Sequence, residues 1–381
     1  MKKILLSIAA LFAAVVSVNA QTWNMVVTHQ DGTVETFPAD NVKNVTFSMA
    51  EQNADQIIIK ELYAGGCLKD DGTSKFQNDK GIVLYNNCGQ TAVVNNLCFG
   101  MGNCNSYAPS ATNNYDDSGN FVPDTDATPF QPAWAMIWYY PGSLVIEPYS
   151  QVVISFMGSI DNTQTVSNSV NYANADYYCM YDPDAGWTAN MNTNYYPTPA
   201  DVIPASHYLK GCMFSQGSAW ALSVACPAVF IFRLEGTTPK AFSSDTNNDW
   251  YMPTYENSAA FLCKKVPQSS VIDGIEVFSS KYAGEEQYKR LSSNIDAGYV
   301  FMTNYMGHTL YRNVDAEATK AIEGNADKLV YNYAGGYESS TDPSGIDAEA
   351  SIKNGAKIVY LDTDNSTADF HERVSFSIKG N

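Results

Sequence analysis

The stretch YLDTDNSTADF, near the end of the chain, concentrates side-chain oxygens that could bind a hard cation. Its three aspartates are Asp362, Asp364 and Asp369, and calcium takes roughly six to eight oxygen ligands, many of them carboxylates. The stretch lacks the glycine and the terminal glutamate of an EF-hand loop. Asx, Ser and Thr side chains also bond their own backbone in turns, so a structural turn is the alternative interpretation.

Two further acidic loops allow the same pair of interpretations. One runs from Asp116 to Asp126, and the other from Asp245 to Asp249. Alternating Asp and Asn residues supply calcium ligands, but they also supply the side-chain acceptors that close turns. We therefore expect no cofactor, with calcium at these loops as the alternative.

The usual catalytic signatures are absent from the sequence. It contains no G-x-S-x-G elbow, no H-E-x-x-H zinc motif, no phosphate-binding P-loop and no G-x-G-x-x-G fingerprint. A histidine-based relay has few residues to draw upon, because the chain has 4 histidines. Paired carboxylates for glycoside hydrolysis are recognised by their distance in space, which spacing along the chain does not reveal. The sequence thus predicts a protein that is not an enzyme, and a glycan hydrolase is the least favoured alternative.

Aromatic residues in a polar segment are the best candidates for ligand binding. Between about residues 157 and 260 the chain is rich in Asn, Tyr, Thr, Ser and Asp. Rings in such loops can stack on sugars or anchor a protein partner, and loops on a rigid scaffold are common binding sites. The predicted binding residues are Tyr177, Tyr178, Tyr181 and Trp187.

Short strands must position these loops. Runs of β-branched and aromatic residues, separated by Gly, Asn and Pro, predict an antiparallel β-sandwich. Because so long a polar stretch is unusual as a sandwich loop, we predict that residues 157–260 form an insertion folded on the sandwich. The strand-forming runs are QIIIKELYAGG, GIVLYNN, AVVNNLCFG and SLVIEPYSQVVISF.

The N-terminus predicts export. Residues 1–20 consist of two lysines, an apolar run and small residues before Gln21, which is the pattern of a secretory signal peptide. Residues 21–50 predict a β-hairpin appendage with a two-residue turn at Asp31-Gly32 and a third strand in NVKNVTFSM. The sandwich domain is predicted over residues 54–381. No later apolar run approaches the ~20 residues of a membrane helix, so we expect a protein of the periplasm, the outer surface or the extracellular space.

Cysteines and charge narrow the function further. The chain has 8 cysteines, and an exported chain meets an oxidising compartment, so we expect at least one disulfide. Cys98 with Cys104 is the first candidate pair, and the connectivity stays open. The net charge of −18 repels phosphate backbones, which argues against a nucleic-acid partner.

Several segments resemble a known fold and family. The first strands resemble those of the lamin tail domain, an immunoglobulin-like sandwich, in IIIKELYAGG, GIVLYNN, WYYPG and VIEPYSQVVIS. Over roughly residues 56–370 the chain also resembles a lamin-tail-like family of uncharacterised secreted proteins from Gram-negative gut anaerobes, a domain of unknown function. The segments that carry this second resemblance are VNYANADYYCMYDP, VPQSSVIDGIEVF, QYKRLSSNIDAG and DTDNSTADF.

The resemblance implies an immunoglobulin-like all-β fold and export, and it implies no chemistry. It also bears on the acidic stretch, because a lamin-tail-like sandwich closes with an acidic turn that feeds its last strand. On that basis we expect Asp362 and Asn365 to accept backbone hydrogen bonds and Phe370 to be buried.

The sequence therefore predicts a secreted or cell-envelope binding protein without catalytic activity. Its expected partner is an envelope protein, a small ligand or a glycan. The alternatives are an accessory protein that captures a ligand for an outer-membrane importer and, less favoured, a glycan hydrolase.

Overall fold

The computed structural model describes most of the chain after the predicted signal peptide. The described residues are 23–43, 45, 48–102, 108–111, 113–183, 193–215, 220, 222–255 and 258–379. The contacts divide the chain into two units, the first ending at Ser48 and the second beginning at Met49. The predicted signal peptide, residues 1–20, lies outside the described residues.

The first unit contains a β-hairpin. Strand β1 (Asn24–Thr28) pairs antiparallel with β2 (Val34–Pro38). The pairing extends one step further, because His29 N donates to Thr33 O over 2.8 Å. The turn is therefore longer than the two residues predicted, and Gly32 closes it at φ +87°. The described residues of the predicted third strand, 41–49, lie outside β-strands.

The second unit is built mainly of strands. In chain order these are β3 (Ile57–Tyr63), β4 (Cys67–Leu68), β5 (Lys75–Phe76), β6 (Gly81–Asn86), β7 (Ala92–Asn95), β8 (Cys98–Met101), β9 (Phe130–Trp134), β10 (Met136–Tyr139), β11 (Ser143–Ile146), β12 (Gln151–Ser155), β13 (Tyr178–Cys179), β14 (Lys210–Met213), β15 (Ala228–Phe232), β16 (Asp249–Tyr251), β17 (Leu262–Pro267), β18 (Val271–Ser279), β19 (Val300–Met302), β20 (Thr309–Arg312) and β21 (Phe370–Arg373).

Helices are few and short among the described residues. The α-helices are α1 (Pro239–Ser244), α2 (Ala316–Ala321), α3 (Ala348–Lys353) and α4 (Ser366–Asp369). Each begins after a side-chain cap that accepts a hydrogen bond from a free backbone N–H of the first turn. The prediction of an all-β class is confirmed.

Two six-stranded sheets organise the second unit. Sheet 1 has the order β13-β12-β6-β3-β20-β21, and sheet 2 has the order β14-β10-β8-β15-β18-β19. Both are mixed, because β12–β13 and β18–β19 are parallel whereas the other pairs are antiparallel. A three-stranded sheet, β16-β17-β9, and the pairs β11-β7 and β4-β5 complete the strands.

One apolar core is shared by the two sheets. Alternate residues along a strand point to opposite faces, and Ile82 of β6 and Val229 of β15 enter the same buried cluster. Their neighbours Val83 and Phe230 belong to two other clusters, on the outer sides of the sheets. Burying an aliphatic or aromatic side chain of this kind contributes about 1.5–3 kcal/mol, so the shared core fixes the sheets against each other.

The structure differs from the predicted insertion. Residues 157–260 supply β13 to sheet 1 and β14 and β15 to sheet 2. Strand β15 lies between β8 and β18, and all five of its residues are buried. The segment is therefore part of the sheets, because its short apolar run AVFIF forms a central strand within a polar composition.

The cysteine prediction also needs correction. Cys98 is a free thiol and is buried in an apolar cluster on the outer side of sheet 2, where burial raises the pKa of its thiol well above the ordinary value. Its Sγ lies 3.1 Å from Asn96 O. The prediction that Cys98 forms a disulfide is therefore wrong; its predicted partner, Cys104, lies outside the described residues. Cys226 is disulfide-bonded.

No helix among the described residues is long and apolar enough to cross a membrane.

Candidate functional site

A polar cleft of about 570 Å³ opens where loops from four parts of the chain meet. It will be called the cleft. Its walls come from β4, from the loop between β12 and β13, from the loop between β19 and β20, and from the segment after β21. The lining residues are Cys67, Leu68, Thr163, Ser167, Asn168, Ser169, Asn171, Ala173, Asn174, Tyr177, Tyr305, Met306, Gly307, Val374, Ser375, Ile378 and Lys379.

Backbone hydrogen bonds hold the loop between β19 and β20 in place. Tyr305 N donates to Gly65 O over 3.0 Å, and Gly307 N donates to Gly66 O over 2.9 Å. Tyr305 and Gly307 both have positive φ, +61° and +75°. This left-handed backbone turns the loop back on itself, so that its three residues form one wall of the cleft.

Side chains of the loop between β12 and β13 fold it locally. The amide of Asn162 donates to Gly158 O over 2.8 Å and to Val170 O over 3.1 Å. At the rim, Asp70 Oδ1 accepts bonds from Ser167 N and Ser167 Oγ over 2.9 and 2.7 Å. Asn and Ser side chains commonly bond nearby backbone in this way, and here they present a hydroxyl- and amide-rich wall.

A buried carboxyl group lies directly behind the lining. Asp79 Oδ2 accepts hydrogen bonds from Ser169 Oγ over 2.6 Å and from Tyr63 OH over 3.1 Å, and the Cys67 thiol lies 3.9 Å away. Its other oxygen, Oδ1, is buried with no hydrogen-bond partner in the described part of the chain. Burial raises the pKa of Asp79, so the neutral acid is favoured more than in an exposed aspartate.

Lys379 is the one charged residue among the described lining residues. Its Nζ donates to Asn168 O over 2.6 Å and lies 5.3 Å from the centre of the Tyr63 ring. Burial lowers the pKa of Lys379, and the nearby Asp79 opposes that shift. The cleft therefore presents a single cation among neutral polar groups.

The structure brings one of the four predicted binding residues to the cleft. Tyr177 lines it, whereas the Tyr178 ring stacks on the His207 ring with centroids 4.2 Å apart. The Tyr181 ring meets the edge of the Tyr208 ring and packs against the main core. Trp187 lies outside the described residues.

Sequence reasoning missed most of the cleft. Tyr305 and Lys379 each stand in a short segment with no motif, and both are far along the chain from Tyr177. The Asn- and Ser-rich run before Tyr177 was a usable signal, because such residues favour exposed turns. What joins the segments is the pairing of strands in sheet 1.

The acidic stretch at the C-terminus surrounds a buried guanidinium. Arg312 is fully buried, and its Nη1 donates to Asp362 Oδ1 over 2.9 Å. Its Nη2 pairs with Asp273, and Asp369 Oδ2 lies 3.6 Å from Nη1. The guanidinium carbon lies 4.6 Å from the centre of the Phe370 ring. These five residues will be called the Arg312 corner.

The predicted roles of this stretch are met in part. Asn365 Oδ1 accepts from Thr367 N over 3.1 Å, as predicted, and Phe370 is buried in the main core. Asp362 bonds the Arg312 guanidinium instead of the backbone donors predicted for it, because the buried cation needs an acceptor there.

Asp369 and Asp364, the other calcium candidates of this stretch, have different surroundings. Asp369 accepts from Thr363 N over 2.9 Å and from Thr363 Oγ1 over 2.7 Å. Asp364 is exposed at φ +52°, and its backbone oxygen accepts from Ala297 N over 2.6 Å. The buried carboxylate of Asp369 thus closes the turn.

The remaining acidic loops are bonded within the chain. Asp245 Oδ1 accepts from Asn247 N over 2.9 Å, and Asp249 pairs with Lys264. In the first loop, Asp116 Oδ1 accepts from Ser118 N over 2.9 Å. Across the described ranges, no group of three or more His, Cys, Asp or Glu side chains is arranged to hold a metal ion.

Two comparisons with known proteins give a match. Residues 147–327 match the family model described as "Protein of unknown function (DUF4876)". The chain is also similar to the crystal structure of a DUF4876 family protein from Bacteroides thetaiotaomicron VPI-5482, with a TM-score of 0.58 and 17% sequence identity. The similarity covers 88% of this chain and 72% of that chain, and at this identity it shows a shared fold. No match is found among curated proteins.

The matched region contains two of the four segments that line the cleft, 163–177 and 305–307. The resemblance to a domain of unknown function is confirmed over residues 147–327.

Proposed function

We propose that the protein is an exported cell-envelope binding protein and that the cleft holds its ligand, a segment of a glycan. One observation carries the proposal: a cleft of about 570 Å³ that is lined by amide and hydroxyl side chains and by two tyrosines. Small-molecule sites in proteins have volumes of roughly 300–1,000 Å³ and a few convergent polar groups.

The lining chemistry suits a hydroxyl-rich ligand. Asn168, Asn171 and Asn174 carry amides that both donate and accept hydrogen bonds, as sugar hydroxyls do. Tyr177 and Tyr305 bring aromatic rings to the lining, where the apolar face of a sugar can pack; the Lys75 ammonium lies over the Tyr305 ring, 4.5 Å from its centre. Together these groups match the alternating polar and apolar surfaces of a pyranose ring.

The same lining argues for binding without hydrolysis. No Asp or Glu is among the described residues that line the cleft, whereas glycoside hydrolysis commonly needs two carboxyl groups on either side of the scissile bond. Asp79 is a single carboxyl group behind the lining. An accessory protein that captures a ligand for an outer-membrane importer would use the same cleft. It would differ from the proposed binding protein in passing the ligand to a partner.

Export and the finer fold are part of the proposal. The tripartite N-terminus supports secretion to the periplasm, the outer surface or the extracellular space. The two sheets around one core support an immunoglobulin-like, lamin-tail-like sandwich.

A glycan array with the chain from Gln21 onward tests the ligand class. We expect selective binding to a subset of oligosaccharides. Their affinities are then measured by calorimetry. Tyr177→Ala and Tyr305→Asn should each weaken that affinity about two- to twelvefold, the effect of losing an aromatic contact of roughly 0.5–1.5 kcal/mol. Asn is chosen at Tyr305 because it tolerates the left-handed backbone.

Tyr331→Ala is the matched control, since this tyrosine is exposed and lies outside the cleft lining. Circular dichroism should show that each variant stays folded. An array with no retained oligosaccharide, or unchanged affinity in both cleft variants, would contradict the proposal.

A further inference from the structure

We infer that the ligand of the cleft is an acidic glycan, whose carboxylate or sulfate group pairs with Lys379. This inference rests on the proposed function and adds the charge class of the ligand.

The first observation is a contrast in charge. The whole chain has 40 Asp and Glu against 22 Lys and Arg, so its general field repels anions. The described lining of the cleft has the opposite character, because it holds one lysine and no acid. An anion that enters the cleft therefore meets a local positive charge within an otherwise negative protein.

The second observation is the unused capacity of the Lys379 ammonium. An ammonium has three N–H donors, and in the described structure Lys379 Nζ donates one hydrogen bond, to Asn168 O. Beside it stands Gly307, where an added methyl group would come within 3.2 Å of Nζ. The glycine thus leaves room next to the ammonium along the wall of the cleft.

The third observation concerns the nearby acids. Asp79 lies behind the lining, where Ser169 and Tyr63 bond its Oδ2, and no ion pair joins it to Lys379 among the described residues. At the rim, Asp70 Oδ1 is bonded to Ser167 N and Oγ. Asp79 acts on the Lys379 ammonium through space, but neither carboxylate forms a described ion pair with it, so a ligand anion can take that position.

Partial burial strengthens the pairing. Hydrogen bonds between an ammonium and an anionic oxygen are roughly twice as strong as neutral ones, and they gain further where solvent is partly excluded. Burial lowers the pKa of Lys379, and a bound anion would oppose that effect by favouring the charged ammonium.

The test compares ligands that differ in charge and share a shape. The chain from Gln21 onward is titrated with oligogalacturonate, with its fully methyl-esterified form, and with a neutral oligosaccharide before and after sulfation. Wild-type protein should bind the acidic member of at least one pair about tenfold more tightly, which corresponds to about 1.4 kcal/mol. Lys379→Met, which keeps the apolar stem, should remove the preference, so that the acidic and neutral members of each pair bind with equal affinity.

Lys240→Met is the control, since Lys240 lines a separate cleft near Lys210 and Cys212; it should keep the preference. A preference for sulfate alone or for carboxylate alone that depends on Lys379 supports the inference and identifies the group. Equal affinity for acidic and neutral members, or a preference that survives Lys379→Met, overturns the inference but leaves Tyr177-dependent glycan binding, and hence the proposed function, intact. If no oligosaccharide of any charge binds, both fail.

Discussion

The cleft and the Arg312 corner are both polar, yet they treat their polar groups in opposite ways. In the Arg312 corner a fully buried guanidinium is surrounded by Asp273, Asp362 and Asp369. In the cleft a single cation, Lys379, stands among neutral amides and hydroxyls. The corner pairs its cation with carboxylates, whereas the cation of the cleft forms no described ion pair.

The difference shows that a high density of charged residues in the sequence does not mean that those charges are free to bind a ligand in the structure. The acidic stretch looked like the most reactive part of the chain because it places three aspartates within eight residues. A buried guanidinium, however, is stable only when acceptors surround it, and Arg312 pairs with two of those aspartates, Asp362 and Asp369. Neutral Asn, Ser and Tyr residues attract less notice in the sequence, but they line the open site.

The largest effect should come from removing the cation of the Arg312 corner. Arg312→Met leaves Asp273 and Asp369 buried without their partner, and breaking a buried ion pair from one side costs about 3–5 kcal/mol. The variant also loses the bond from Arg312 Nε to Ile59 O, which joins β20 to β3. Urea unfolding of the two proteins gives the free energy difference.

Arg233→Met is the matched control. Arg233 pairs with Glu51 over 3.4 Å, and the two side chains are 27% and 33% exposed. A pair of this kind contributes about 0–1 kcal/mol. If Arg312→Met lowers the unfolding free energy no more than Arg233→Met does, the ion pairs of the Arg312 corner do not stabilise the fold.

Much of the fold follows from the strand-forming runs of the sequence. QIIIKELYAGG contains β3, GIVLYNN contains β6, and SLVIEPYSQVVISF contains β11 and β12, because β-branched residues fit a buried pleated surface. Strand β15 was missed as a sheet strand, since the loops around it dominate the local composition. Its five-residue run is too short to decide between strand and buried loop without a partner.

The cleft could be predicted far less. Tyr177 was found from the aromatic residues around it, but Tyr305 and Lys379 reach the cleft through contacts that no local pattern encodes. Those contacts depend on the order of strands in sheet 1, which brings the ends of β3, β20 and β21 together. These contacts could not be predicted from local sequence patterns, because strand order is a property of the whole fold.

A smaller effect should appear in the pH dependence of the unfolding free energy, through a buried acid that bonds the segment containing Lys379. Glu61 is fully buried and accepts a bond from Ser377 N over 3.0 Å, which fixes the segment after β21. Burial raises the pKa of Glu61 from 4.5 to about 7, and Arg373 opposes the shift. The folded state therefore holds this proton more tightly than the unfolded state does.

The sign follows from that difference. The contribution of Glu61 is fully present below pH 4.5 and is lost as the pH rises through about 7, by up to about 3 kcal/mol. Glu61→Gln should therefore flatten the fall in unfolding free energy over this window, as measured by urea unfolding at several pH values. Glu317→Gln, at an exposed position of α2, should leave the slope as in wild type. A Glu61→Gln slope equal to that of wild type would contradict the assignment.

The smallest effect should come from Asp362, the most exposed of the three carboxylates around Arg312. Its side chain is 37% exposed, and Arg312 keeps Asp273 when Asp362 is removed. Asp362→Ala should therefore cost about 1 kcal/mol, the net value of one hydrogen bond, measured as a shift of the urea midpoint.

The same variant also decides between a structural corner and a calcium site. A bound ion stabilises the folded state by mass action, so a calcium loop would make the melting temperature rise with added calcium and fall with chelator. The Arg312 corner predicts no such response, because the guanidinium already supplies the positive charge that a cation would bring, and a second cation beside it would be repelled. The melting temperature of wild type should therefore be the same with calcium as with chelator, and so should that of Asp362→Ala. A shift of several degrees in wild type that disappears in Asp362→Ala would show that the acidic stretch binds calcium and that Arg312 is not its main partner.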